Sequence, residues 1–302
     1  MVKTKALRLG IFSLVALLAA LIAVDVGLAW VYVSALTQPG CSAPINLEEI
    51  DLPEEHWLTT EDGLLLRAWY YPSKNGAAVL ALGGIGGSLG DVLPPVRPLI
   101  EAGYGVLQID SRACARPHAR VTLGAYEIHD AAAGIAFLLT RPDIDPEKIG
   151  AIGFSMGGVT IIRAAALRQS SGQARQPQIK ALVAEGGYDQ LGKHIIQPDA
   201  GHSLPRKIFL YTVAGVFWVQ IGVNPWEISP LDDIAKISPR PVFLIYGEHE
   251  LERGGGKAQF DAAEEPKLLW VVPRGDHGGN YQVAKEEYER RIVEFFKQAL
   301  FP

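Results

Sequence analysis

Between Lys148 and Ala166 the chain reads KIGAIGFSMGGVTIIRAAA. The pattern predicts a strand over 148–154 and a helix from about Met156, with no residues left over for a loop. A joint this tight suits a strand that feeds straight into a helix packed back on its own sheet. Gly153 and Gly157 stand two positions either side of Ser155. Without Cβ atoms, the two backbones can approach there. The serine would be held in a strained conformation that lifts its hydroxyl above the sheet edge. The free N–H groups and positive end of the new helix would face the same point. A Gly-x-Ser-x-Gly run by itself also fits a plain packing joint of small residues. The surroundings decide between the two.

Those surroundings alternate strands with helices, the pattern of an α/β fold with a mostly parallel sheet. Residues 56–73 predict a hairpin turning at Glu61-Asp62-Gly63, where Asp-Gly supplies the positive φ. Apolar runs predict further strands at 77–84, 103–110, 179–187, 241–247 and 267–273, and helices at 126–141 and 281–300. No internal repeat or low-complexity tract appears. Residues 188–238 are irregular and hold one very apolar run, 206–222. That run would line an acyl pocket, touch a membrane or form a buried cap helix.

A nucleophilic serine needs a base and an acid that orients the base. His277, in PRGDHGGN after the last strand, is the candidate base. The acid should follow strand 241–247, where the loop reads Gly-Glu-His-Glu-Leu-Glu from Gly247. Glu250 is far enough past the strand end to turn toward the histidine loop. Glu248, Glu185 and Asp189 are the alternatives. An oxyanion needs two backbone donors. The N–H of Met156 would be one. The other would be that of Ile85 in the glycine loop Gly83–Ser88, although such a loop also serves as an ordinary strand-to-helix turn.

The N-terminus is a separate problem. Lys3, Lys5 and Arg8 precede a stretch from Leu9 to Thr37 whose only charge is Asp25. About 20 apolar residues span a bilayer as a helix, and Trp30 and Tyr32 suit its interfacial belt. The expectation is residues 1–8 in the cytoplasm, a signal-anchor helix at 9–37 and a linker at 38–50. A single extracytoplasmic domain would follow at 51–302, with 188–238 as a cap-like insert. A signal peptide cleaved near Val33-Ser34-Ala35 and a lipoprotein signal using Cys41 are the rival readings. The first has too short an apolar requirement, and the second lacks its pattern in TQPG. The chain has only two cysteines, Cys41 and Cys114. They make neither a disulfide framework nor a thiolate metal site, and no bridge between them is expected. A net charge of −5 with no basic, aromatic-interleaved run excludes a nucleic-acid footprint.

Residues from about 50 to 302 resemble the α/β-hydrolase superfamily, in particular its dienelactone-hydrolase-like and prolyl-oligopeptidase-like serine hydrolases. The matching stretches are TTEDGLLLRAWYYP, VLALGGIGGS, GYGVLQIDSR, RPDIDPEKIGAIGFSMGG, SPLDDIAKISPRPVFLIYGEHE and GDHGG. The resemblance implies a central, mostly parallel sheet flanked by helices. It implies Ser155 as nucleophile, His277 as base, Glu250 in the place of the acid, and Ile85 and Met156 as oxyanion donors. Gly83, Ala113, Ala115 and Glu250 depart from residues common among relatives. The function expected is a membrane-anchored serine hydrolase acting on a carboxylic ester or related acyl bond, with no metal or organic cofactor and a small-molecule acyl substrate, lipid-like ones included. A peptidase or thioesterase of the same fold, and a non-catalytic tethered binding protein that kept it, are the alternatives.

Overall fold

The computed structural model describes residues 2–41, 52–167, 179–198 and 200–301. Most of the expected linker, 42–50 with Pro44, lies outside the described residues, as does the expected domain start at 51. Helix α1 covers Val2–Thr37. The eight strands are β1 (Glu54–Thr59), β2 (Leu65–Tyr71), β3 (Ala78–Leu82), β4 (Gly105–Ile109), β5 (Ile149–Phe154), β6 (Ala181–Glu185), β7 (Val242–Gly247) and β8 (Lys267–Val272). Helices α2 (Leu93–Glu101), α3 (Glu127–Leu138), α4 (Met156–Ala166), α5 (Leu191–Ile196) and α6 (Leu204–Ile221) run among them. Helices α7 (Pro230–Asp233), α8 (Gly256–Ala262), α9 (Asn280–Val283) and α10 (Lys285–Leu300) complete the chain.

The strands form one sheet in the order β1-β2-β4-β3-β5-β6-β7-β8. The β1–β2 and β2–β4 pairs are antiparallel, and all later pairs are parallel. Each expected strand is present, and the first two form the expected hairpin. Central strands are buried along their whole length, which is why they read as continuous apolar runs. Their side chains still alternate between faces. Leu80 and Leu107 pack with α3 and α4 on one face. Val79, Val183 and Ile245 pack with Tyr288, Ile292 and Phe296 of α10 on the other. This makes an α/β/α sandwich of the α/β-hydrolase type.

The strand order reverses between β3 and β5. In an open α/β sheet the crevice outside the carboxyl ends of such neighbours is where ligands bind. Leu82, the last residue of β3, is paired with Gly153. The glycine loop after β3 and the Ser155 turn after β5 therefore open side by side.

A third cluster lies over this end. Met156 and Val159 of α4, Tyr188, and Val213 and Phe217 of α6 pack with Ala29 and Val33 of α1. Helix α6 thus packs both over this end of the sheet and against α1. The cysteines correct an expectation: Cys41 and Cys114 are joined by a disulfide. Their separation of 73 residues carries no signal in a two-cysteine chain. What brings them together is packing. The Val121 amide donates to the Thr37 carbonyl at 2.8 Å, and Arg120 Nη1 donates to Thr37 Oγ1 at 2.9 Å. The end of α1 is thereby fixed beside the segment that carries Cys114.

Candidate active site

Ser155 has φ 56° and ψ −118°, a region an L-residue rarely adopts. The neighbours leave the turn no other shape. A Cβ on Gly157 would stand 2.3 Å from the Leu82 carbonyl oxygen, so α4 touches β3 there with nothing between them. The Ser155 amide donates to the Glu185 carbonyl at 2.7 Å, which ties the turn to β6.

Ser155 Oγ lies 2.9 Å from His277 Nε2, and His277 Nδ1 lies 2.7 Å from Glu250 Oε2. The three come from the loops after β5, β8 and β7, separated by up to 122 positions in the chain. Glu250 is buried, with only 2% of its surface exposed. Its other oxygen accepts from the Gly247 amide at 3.0 Å and from Asn280 Nδ2 at 3.1 Å. Burial pushes the carboxyl up, but the bonds from His277, Gly247 and Asn280 outweigh it and hold Glu250 below its ordinary value. An ionised Glu250 accepts from Nδ1–H of His277. That leaves Nε2 free to accept from the serine hydroxyl. His277 is pushed up in turn, first by its bond to Glu250, with burial opposing.

Two sets of hydrogen bonds hold these loops. The Glu248 amide donates to Val272 and the His249 amide to Gly275, lacing the acid loop to the histidine loop at 3.0 and 3.1 Å. Around the glycine loop after β3, the Gly90 amide donates to Gln108 Oε1 at 3.1 Å and the Leu89 amide to Asp110 Oδ1 at 3.3 Å.

The alternative acids fall elsewhere. Glu248 accepts from the Arg274 amide, and Asp189 pairs with Lys193 Nζ at 2.7 Å. Glu185 is buried behind Glu250, not beside His277 Nδ1. Asn280 Nδ2 bridges the two carboxylates, 3.1 Å from each, and Tyr288 donates its hydroxyl to the far side of Glu185. Burial raises the Glu185 carboxyl, and the nearby Glu250 charge adds to this, against the bonds from Tyr288 and Asn280. Sequence reading left Asn280 and Tyr288 out. An asparagine after a Gly-rich loop and a tyrosine in an amphipathic helix carry no distinguishing signal.

Ser155 and His277 open into a cleft of about 310 Å³, lined also by Gly84, Ile85, Pro94, Phe154 and Tyr281. Gly84 lies against the Ser155 turn, where a Cβ would come within 3.4 Å of Ser155 Cβ. Ile85 is therefore on the cleft. Met156 opens α4, so its N–H is one of the donors a helix start leaves unpaired. Helix α6 contributes no side chain to this cleft, so its apolar run does not line an acyl pocket there. Among the described residues no group of three or more His, Cys, Asp or Glu side chains is arranged to hold a metal.

No family model matches the chain. Its relatives do include named proteins. Over 289 residues it is 33% identical to the polyketide transferase ATR5 of Stachybotrys chlorohalonatus, covering 78% of this chain and 96% of that one. It is 26% identical to the alpha/beta hydrolase domain-containing protein WAV2 of Arabidopsis thaliana, covering 89% of this chain and 86% of the relative. Among solved structures, the Pyrococcus furiosus esterase Pf2001 superposes with a TM-score of 0.67 at 25% identity, covering 87% of this chain and 99% of the esterase.

Proposed function

The chain belongs to the α/β-hydrolase superfamily, and from that membership we propose that it is a membrane-anchored serine hydrolase of carboxylic esters. The observation that carries the reading is the unbroken series Ser155–His277–Glu250, at 2.9 and 2.7 Å, on a strained turn at the switch point of the sheet. His277 takes the hydroxyl proton as Ser155 Oγ attacks the ester carbonyl. Glu250 keeps the imidazole in the tautomer that can accept it and offsets the charge that forms. The oxyanion is held by the N–H groups of Ile85 and Met156. His277 then gives its proton to the leaving alcohol, and a water it activates releases the acid and restores the serine.

Esterases among the structural neighbours support the ester as substrate. A second reading has an observation of its own: the 33% identical relative is named a polyketide transferase. An acyl-enzyme can be resolved by an alcohol in place of water, so the same residues would then transfer the acyl group.

Placement at a membrane rests on α1, whose stretch Arg8–Thr37 is long and apolar enough to cross one. The basic residues before it support a cytoplasmic N-terminus. The Cys41–Cys114 bridge supports an oxidising, extracytoplasmic compartment for the domain. The test of the catalytic reading is hydrolysis of p-nitrophenyl esters of increasing chain length. Wild type should turn them over and Ser155→Ala should fall to background. Equal turnover by both proteins overturns the reading. An alcohol-dependent ester product would favour transfer.

A further inference from the structure

We propose that the outer face of α6 is inserted in the lipid bilayer that α1 spans, at the level where α1 leaves it. The proposal rests on the reading of α1 as a membrane span.

Helix α6 is apolar on both sides. Val213, Ala214, Phe217 and Ile221 are buried in the cap. On the outside, Leu204, Ile208, Tyr211, Trp218 and Val219 are 71, 53, 57, 54 and 73% exposed. Their spacing of about one and two turns places them in one stripe. A helix on a water-facing surface carries polar residues there. Between Ile208 and Trp226 the chain has no charged residue, whereas Arg206 and Lys207 stand exposed at the start of the helix. That is the layout of a segment with an apolar face in lipid and cations among anionic headgroups.

The contacts with α1 set the depth. A hydrocarbon core about 30 Å thick takes roughly 20 helical residues. Counted from Leu9, the first residue after Arg8, such a span ends near Leu28. Helix α6 is fixed to α1 across that point. Thr212 Oγ1 donates to Asp25 Oδ2 at 2.5 Å, and Gln220 Nε2 donates to the Trp30 carbonyl at 3.2 Å. Ser34 Oγ donates to Gln220 Oε1 at 3.3 Å, and the rings of Tyr32 and Phe209 meet edge to face. The single charge in the span thus has its partner on α6, and reaching it draws α6 down to the edge of the core. Trp30, Tyr32, Tyr211 and Trp218 then form one aromatic belt, the residues that favour this depth. Apart from Asp25, residues 9–28 of α1 are exposed all round, so the lipid that surrounds α1 reaches the helix packed against it. Pro39, two residues past α1, packs at Gly86 of the glycine loop, so the cleft lies beside the anchor's exit.

The test uses the full chain in nanodiscs of phosphatidylcholine and phosphatidylglycerol, with and without bromine on the upper acyl chains of the phosphatidylcholine. Subtracting the emission of Trp218→Phe, a change at an exposed position, isolates the Trp218 signal. The proposal expects that signal to be blue-shifted, to lose most of its intensity to the brominated lipid, and to resist acrylamide. Quenching by acrylamide but not by bromine puts Trp218 in water and overturns the proposal. Shielding from both quenchers means that a second copy of the chain covers the face, and overturns it as well. A chain recovered apart from the nanodiscs overturns the anchor reading and this proposal together, and that outcome is recognisable before any quenching. No readout depends on catalysis, so the hydrolase reading stands or falls separately.

Discussion

Asn280 Nδ2 lies 3.1 Å from Glu250 Oε1, behind the carboxylate whose other oxygen holds His277. The same amide group is 3.1 Å from Glu185, so one neutral side chain separates two buried acids. Replacing it with alanine removes the one donor shared by the two carboxylates and leaves them facing each other across the gap. Loss of a hydrogen bond to a buried charged group costs about 1.5–3 kcal/mol. Asn280→Ala should therefore melt lower and turn over ester more slowly, with KM little changed, because Asn280 does not touch the cleft. Asn280→Asp should be worse than Asn280→Ala, since it adds a third carboxylate. Thermal unfolding and steady-state kinetics check both.

The pH dependence follows from the pair in front of it. Glu250 raises the pKa of His277 above its ordinary 6.5. The base works only when neutral, so kcat/KM should rise with pH through a midpoint above that value. Glu250→Gln removes the raising partner while burial still lowers the histidine, so the midpoint should move down. The rate should fall by up to about 10⁴-fold, the scale for an imidazole left in the wrong tautomer. Stability carries the opposite sign. A pKa raised by folding contributes stability that is fully present below the unfolded value and is lost as pH rises through the folded one. The lowered carboxyl of Glu250 adds stability that persists above its own ordinary range, so the melting-temperature advantage of wild type over Glu250→Gln should be largest at mildly acidic pH and shrink, without vanishing, in the alkaline range.

Backbone contact at the Ser155 turn predicts a steep steric response. A Cβ on Gly157 would meet the Leu82 carbonyl at 2.3 Å, and both sides of that contact are backbone. Gly157→Ala should lose several kcal/mol or fail to fold, as overpacking at rigid sites does at about 1–3 kcal/mol and more. Gly215 of α6 has nothing within 4 Å of its would-be Cβ. Gly215→Ala should be neutral or stabilise by up to about 1 kcal/mol through helix propensity. Thermal melts of the pair separate crowding from a general intolerance of substitution.

The bridge between Cys41 and Cys114 joins the end of α1 to the segment after β4. Removing a cross-link over a long loop typically costs about 2–4 kcal/mol. Cys41→Ser with Cys114→Ser should lower the melting temperature, and a reductant should lower that of wild type to the same value. A reporter fused after Pro302 that is active only outside the cytoplasm should be active on the anchored chain.

Much of this was legible in the sequence because it is local. Each strand is a short apolar run between turn residues, and the Ser155 turn is written in six consecutive positions. Strand order then placed His277 and Glu250 at the same sheet edge, since loops after parallel strands open on one side. What stayed hidden is what depends on distant partners. Glu250 and Glu248 have the same chemistry two residues apart, and only the lacing of their loop to Gly275 turns one inward and the other toward Arg274. Asn280 acquires its place from two acids 95 and 30 positions away. Asp25 reads as an isolated charge in an apolar run until Thr212 is found beside it. The bridge was missed for the same reason, because Thr37 and Val121 meet only in the folded chain.

The central claim is that Ser155 is the nucleophile activated by His277 and Glu250. A fluorophosphonate reports on it directly, because it reacts with a serine only where a base activates it. Intact-mass measurement and peptide mapping should find one adduct on the peptide containing Ser155 in wild type, slower labelling in Glu250→Gln, and none in Ser155→Ala. Equal labelling of wild type and Ser155→Ala, or no labelling of either, would contradict the account.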